Sequence, residues 1–162
     1  MTPEATFSDL LFANEPDATA WITGSDSVPN LNGCVKFFST PFGGTLVAAE
    51  LFGLPNSSEK NSFNFYAMHI HEFGNCMPPF DKTGNHYNPA NMPHPFHAGD
   101  LIPILGNQGY GFSVCYTKQF SVEDIIDRSI VIHGKADDFT SQPSGNSGDK
   151  IGCGVIRLLK KK

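Results

Sequence analysis

Seven short runs of strand-forming residues, each closed by a turn cluster before it can lengthen, leave this chain few options other than a sheet. The runs are Ala18–Ser25, Leu31–Phe38, Thr45–Phe52, Ser62–His71, Tyr110–Thr117, Ser129–His133 and Ile151–Leu158. Clusters such as Asp26-Ser27-Val28-Pro29-Asn30 and Pro55-Asn56-Ser57-Ser58 separate them. Evenly spaced short strands with turn signals between them predict an antiparallel sandwich or barrel of seven or eight strands. Sixteen glycines and twelve prolines in 162 residues agree with many turns and little long helix. The only helix-like stretch is Val122–Asp127, too short to shape the architecture. Residues 1–17 hold one apolar piece, Phe7 to Phe12, between acidic residues, and read as a loosely packed leader or a single helical turn.

At 17.6 kDa the chain is one domain, large enough to need no metal merely to gain a core. Its net charge is −5, and four of its 11 basic residues (Arg157 and Lys160 to Lys162) lie in the last six positions. Residues 1–156 therefore carry 7 basic against 16 acidic side chains, a body that repels phosphate backbones. Nucleic acid is not expected as a partner. No stretch approaches 18 consecutive apolar residues, so neither a transmembrane helix nor a membrane partner is expected. The first basic residue is Lys36, which leaves no charged start for a secretory signal, and the chain as given reads as cytoplasmic. The four cysteines form no C-x-x-C pair, so a zinc ribbon and a thioredoxin-type motif are both excluded. Cys34 and Cys115 fall in strand runs and read as small buried apolar side chains.

Two long intervals break the strand rhythm: residues 72–109, rich in Pro, Asn, Gly and His, and residues 134–150, rich in Gly, Ser and Asp. Loops of such length are functional or disordered more often than idle, and the first carries histidines. All six histidines fall between positions 69 and 133. His69 and His71 stand two apart at the end of a strand run, so both rings point to one face and can reach one ion. His86 follows, then His94, His97 and Asp100 at spacings of three, and His133 closes its own strand. Imidazole suits zinc and copper. An all-nitrogen set with an open position favours Cu(II), and a closed set of histidines plus a carboxylate suits zinc.

These residues resemble the copper/zinc superoxide dismutases. The matching stretches are His69-Ile70-His71-Glu72-Phe73-Gly74, Gly84-Asn85-His86-Tyr87-Asn88-Pro89 and His97-Ala98-Gly99-Asp100-Leu101. They continue in order through Ile125-Ile126-Asp127-Arg128-Ser129 to His133, then Ala136-Asp137-Asp138, Gly145-Asn146-Ser147-Gly148 and Cys153-Gly154-Val155-Ile156. The resemblance spans residues 18–158, leaving residues 1–17 as a leader of unknown role and residues 159–162 as a basic tail. It implies an all-β, Greek-key antiparallel sandwich or flattened eight-stranded barrel with two long metal-site loops.

The resemblance also implies the ligands: His69, His71, His86 and His133 for copper, and His86, His94, His97 and Asp100 for zinc, with His86 shared by both. Asp137 matches the carboxylate that joins His69 to His94, whereas Asp138 reads as an ordinary loop aspartate. Cys76 and Cys153 match the family's disulfide. The implied reaction is dismutation of superoxide by copper cycling beside a structural zinc, with His86 as proton donor and Lys150 beside the copper; Lys135 is a weaker second candidate. The alternative is a related protein that binds zinc or buffers copper without turnover. A homodimer is possible. Three places depart from the usual pattern: the His94–His97 interval is short, the loop after His133 is short, and Lys150 stands where the family has an arginine.

Overall fold

Alternation along the strands sorts side chains onto two faces, and the apolar face decides how the sheet curls. The computed structural model describes residues 2–13, 15–56 and 64–159. Its strands are β1 (Ala18–Gly24), β2 (Asn32–Ser39), β3 (Thr45–Phe52), β4 (Phe65–Tyr66), β5 (Met68–His71), β6 (Ile104–Asn107), β7 (Tyr110–Thr117), β8 (Ser129–His133) and β9 (Lys150–Leu158). All pair antiparallel, in the order β4-β6-β7-β3-β2-β1-β9-β8-β5. The first and last strands of that order are consecutive in the chain, separated only by Ala67. Ala67 N–H donates to the Lys135 carbonyl at 2.8 Å, and His133 N–H donates to the Ala67 carbonyl at 2.9 Å. The chain thus passes from one edge of the sheet to the other within a residue, which curls it into the nearly closed barrel that the sequence predicts.

The inward positions fill the barrel with Val35, Phe37, Val47, Leu51, Met68, Ile70, Ile130, Ile132 and Ile156, among others. The seven expected runs become strands with ends shifted by at most a residue or two, except that Ser62–His71 divides into β4 and β5; Ser62 and Phe63 lie outside the described residues, as do Lys160 to Lys162. One strand was hidden inside the expected loop 72–109. β6 is a four-residue strand ending in a two-residue turn, Gln108-Gly109, with φ of 51° and 83°, and it pairs back onto β7. So short a strand gives no alternation to read, and Gln at the first turn position is a weak hairpin signal.

The expectation for residues 1–17 needs correction. They carry a helix, α1 (Pro3–Ala13), rather than a loose leader or a single turn. Phe7, Leu10 and Leu11, at helical spacing, cover Phe38, Leu46, Ala48, Val114 and Tyr116 on the outer face of β2, β3 and β7. Apolar residues on that outer face need a cover, and α1 supplies it. Val122–Asp127 reduces to a 3-10 turn at Glu123–Ile125. Cys115 is half-buried against the barrel core, and burial pushes its thiol up to about 11. Cys34 is not a core residue: its row Trp21, Cys34, Glu50, Phe112 faces outward, beside Leu11 and Phe12.

Candidate metal centre

β5 turns Met68 and Ile70 into the barrel and therefore turns His69 and His71 out. Its neighbour β8 turns Ile130 and Ile132 in, which puts His133 on the same outer face as His69 and His71. Residues from the long loop occupy the free edge of β5. Tyr87 N–H donates to the Ile70 carbonyl, Ile70 N–H to the Gly99 carbonyl and Gly99 N–H to the Tyr87 carbonyl, each at 2.8 Å. The loop thereby covers an exposed strand edge and carries His86 opposite His71 and Asp100 opposite His69.

Two groups of ligand atoms result, each within 4.8 Å of one another: His69, His71, His86 and His133, and His86, His94, His97 and Asp100. The compressed His94–His97 interval thus still brings both rings into one group.

The hydrogen bonds around each ring decide which nitrogen faces the centre. His71 Nδ1 donates to the Gly84 carbonyl at 2.9 Å and His133 Nδ1 to the Gly148 carbonyl at 3.2 Å, leaving their Nε2 atoms facing each other at 3.4 Å. His69 and His94 give their Nε2–H to the two oxygens of Asp137, at 2.8 and 2.9 Å, and keep Nδ1 inward. His86 alone faces both groups: Nδ1 lies 2.8 Å from Asp100 Oδ1, and Nε2 points the other way. His97 Nδ1 lies 3.4 Å from His86 Nδ1.

The inward atoms want a cation. Among the described residues, His69 Nδ1, His86 Nε2 and His94 Nδ1 are buried with no hydrogen-bond partner; His94 Nδ1 is 3.1 Å from Asp100 Oδ2 but lacks the geometry of a bond. Buried polar atoms left unpaired are costly, and converging lone pairs with outward N–H groups fit a metal on each side. Four nitrogens suit copper, and three nitrogens with a carboxylate suit zinc.

Burial pushes the imidazoles toward neutrality: His69 to about 4, His71 to about 2 and His133 to about 3, with neighbouring histidines adding to the effect. Neutral rings offer lone pairs at neutral pH without proton competition. Burial opposes the charge of Asp100 and Asp137. The hydrogen bond from His86 together with the charges of His86, His97 and His94 outweighs it for Asp100, and the hydrogen bonds from His69, the Phe139 amide and His94 with the charge of His69 outweigh it for Asp137, so both carboxyls sit below their usual range.

The remaining candidates divide. Asp137 accepts from one ring of each group, and Asp138 is exposed, its carboxylate folding the loop by accepting from Thr140 and Ser141. Lys150 is half-buried: Nζ donates to Thr83 Oγ1 at 2.8 Å and lines the same cleft as His71 and His133. Lys135 is exposed and lines none of that cleft. Cys76 and Cys153 form a disulfide with Cα atoms 5.5 Å apart, packed beside Phe80 and Val131. The roles of two further residues were not legible in the sequence. Thr83, fully buried, holds Lys150, and Gly145 (φ 67°) leaves room for Asp137: a Cβ there would stand 1.9 Å from Asp137 Oδ1.

The family "Copper/zinc superoxide dismutase (SODC)" matches residues 31–156. The chain belongs to the copper/zinc superoxide dismutases. "Superoxide dismutase [Cu-Zn] 3" of Arabidopsis thaliana is 33% identical over 157 residues, covering 87% of this chain and 90% of that protein. "Superoxide dismutase [Cu-Zn]" of Deinococcus radiodurans is 33% identical over 156 residues, covering 83% and 81%. The extracellular superoxide dismutase of Mus musculus is 35% identical over 138 residues, 79% of this chain but 54% of that protein. Copper and zinc are the metals of this family, and superoxide dismutation is its reaction. No helix among the described residues of this dismutase is long and apolar enough to cross a membrane.

Proposed function

We propose that His69, His71, His86 and His133 hold copper, that His86, His94, His97 and Asp100 hold zinc, and that the chain dismutes superoxide through this pair. The observation that carries the assignment is the set of inward ring nitrogens, three of them buried without a partner, flanked by rings whose other nitrogen is committed to a carbonyl or to Asp137. Copper supplies one-electron cycling between Cu(II) and Cu(I), so that two superoxide anions and two protons become one dioxygen and one hydrogen peroxide; zinc has no redox chemistry.

The chain's own residues do the rest. His71 and His133 are fixed in one tautomer by backbone carbonyls, which keeps their Nε2 lone pairs aimed at the copper side. His86 lacks such an outside acceptor. It stays anchored through Nδ1 beside Asp100, and its Nε2 is the atom able to hold and give up a proton. Asp137 orients His69 and His94 together, so the two halves share one carboxylate. Lys150 places an ammonium at the cleft wall beside His71 and His133, where it attracts an anion without touching the ligand nitrogens.

Metal analysis with a superoxide-consumption assay on copper- and zinc-loaded protein tests the reading. One copper and one zinc per chain with rapid consumption is the expected result. Full copper loading without turnover would leave a copper-buffering protein instead. A homodimer belongs to the proposal, supported by the exposed Trp21, Phe52 and Phe112 on the outer face of β1, β3 and β7, and sedimentation measures it. The reading without a nucleic-acid partner is supported by the acidic body of residues 1–156, and that without a membrane partner by the lack of 18 consecutive apolar residues. A cytoplasmic setting stays a proposal, tested by fractionation of the native protein.

A further inference from the structure

His94 has less framework of its own than the strand-borne histidines. It lies in the compressed interval, between Pro93 and Pro95 and three residues before His97, on no strand. Yet one side chain from the other long loop holds its backbone at both polar atoms. His94 N–H donates to Gln142 Oε1 at 3.0 Å, and Gln142 Nε2 donates to the His94 carbonyl at 2.7 Å. A primary amide carries a donor and an acceptor side by side, so it can pair with a peptide unit as another peptide would.

Gln142 is itself exposed, but the loop bearing it is closed on itself. Asp138 N–H donates to the Gly145 carbonyl at 2.9 Å, and Gly145 N–H donates to the Ser141 carbonyl at 2.8 Å. The Asp138 carboxylate gathers the Thr140 and Ser141 amides inside that ring. The same loop sends Asp137 to the far nitrogen of the His94 ring at 2.9 Å. His94 is therefore gripped at its ring by residue 137 and at its backbone by residue 142.

We propose that Gln142 is a positioning residue for zinc: it supplies, from the second loop, the restraint on His94 that the shortened interval does not provide. The inference rests on the zinc set proposed above. Its consequence is selective. The hydrogen bonds of Gln142 both go to His94, and those of His69, His71 and His133 go to Asp137, Gly84, Gly148 and one another, so losing its amide loosens one metal and not the other. Partners that orient a metal ligand are worth 10- to 100-fold in metal affinity, and a clamp on the backbone belongs near the lower end, about tenfold.

The test uses the full metal-free chain, zinc alone or copper alone, and a competing chelator. Gln142→Ala is expected to weaken zinc about tenfold and leave copper affinity at His69, His71 and His133 and the metal-free unfolding midpoint unchanged. Gln142→Met keeps the length of the side chain but neither polar atom, and is expected to match the alanine variant. In both, the His94 amide should lose its hydrogen-exchange protection. Wild-type zinc affinity in either variant, or zinc and copper falling in parallel with a lower midpoint, overturns the inference. His94→Ala separates the two levels: if it loses zinc while Gln142→Ala does not, only the role of Gln142 fails. If His94→Ala keeps zinc, the zinc set itself is wrong and the inference falls with it.

Discussion

The two halves of the proposed metal centre are built on different kinds of scaffold. On the copper side, His69, His71 and His133 stand on β5 and β8, whose pairing runs from Met68–Ile132 to His71–Ser129. On the zinc side, His86, His94, His97 and Asp100 all come from one loop, which gains its shape by lying along the β5 edge and by being gripped from residues 137 and 142. Strand-borne ligands are ordered by folding of the barrel, whereas loop-borne ligands depend on a second loop arriving. The copper half should therefore respond to changes in the ligands themselves, and the zinc half also to changes in residues that touch no metal.

The sharpest separation comes from His133, the one proposed copper ligand on β8 and absent from the proposed zinc group. His133→Ala should abolish dismutation, a loss of several orders of magnitude, while zinc binding measured on the same preparation stays near normal. Near-normal superoxide consumption in this variant would remove the copper assignment. Next in size is Gly145→Ala. The added Cβ meets Asp137 Oδ1 at 1.9 Å and His94 Nε2 at 2.7 Å, in a backbone conformation with φ of 67° that alanine resists. Zinc affinity should fall 10- to 100-fold and copper affinity distinctly less, because Asp137 holds only His69 among the copper ligands. Equal losses on both sides, measured by chelator competition, would contradict the contrast between scaffolds.

Acid probes the strand-borne half of the metal-free protein. Burial lowers His69, His71 and His133 from 6.5 to about 4, 2 and 3. Below pH 6.5 the unfolded chain therefore binds protons that the folded chain refuses, and stability falls as the pH drops. The lowered carboxyls of Asp100 and Asp137 act in the same direction, but only below their ordinary value of 3.8. At pH 5 all three histidines are protonated in the unfolded chain and neutral in the folded one, so each opposes folding there. The metal-free unfolding midpoint should drop steeply between pH 6.5 and 4, and zinc and copper together should flatten that drop. A midpoint independent of pH over this window would mean that the rings are not held neutral by burial.

Much of this contrast is written in the local pattern of the chain. Alternation has a period of two, so His69-Ile70-His71 announces two rings on one face, and the turn-bounded run ending at His133 announces a third. The spacing of His94, His97 and Asp100 is equally local. What stays hidden depends on elements meeting. α1 reads as a leader because its cover for Phe38, Leu46 and Tyr116 exists only once β2, β3 and β7 lie side by side. Gln142 looks like an ordinary loop residue, and the room that Gly145 leaves for Asp137 stays unseen, until loop 134–150 folds over loop 72–109. Cys34 sits in a strand run, and only the register tells which face it takes. Local periodicity is legible in one sequence, whereas contacts between distant loops are not.

The smallest expected effect concerns how an acidic body draws an anion to the copper side. With 7 basic against 16 acidic side chains in residues 1–156, long-range attraction is not available, so guidance must be local. Lys150 and Lys135 both lie near the second loop, but they are placed differently. Lys150 lines the cleft with His71 and His133, and its Nζ is fixed by Thr83 Oγ1 at 2.8 Å; Lys135 is exposed and outside that lining. Fields act over about 10 Å at 0.1 M salt, so a charge at the cleft wall should count and one outside it should count less. Lys150→Glu is expected to lower the second-order rate with superoxide by roughly tenfold at low ionic strength, and Lys135→Glu by less, with bound copper unchanged in both. Added salt should slow the wild type, and should slow Lys150→Glu less or even speed it, because screening then removes a repulsion. Equal rates for wild type and Lys150→Glu across a salt series would take Lys150 out of the guidance and leave attraction to the metals alone.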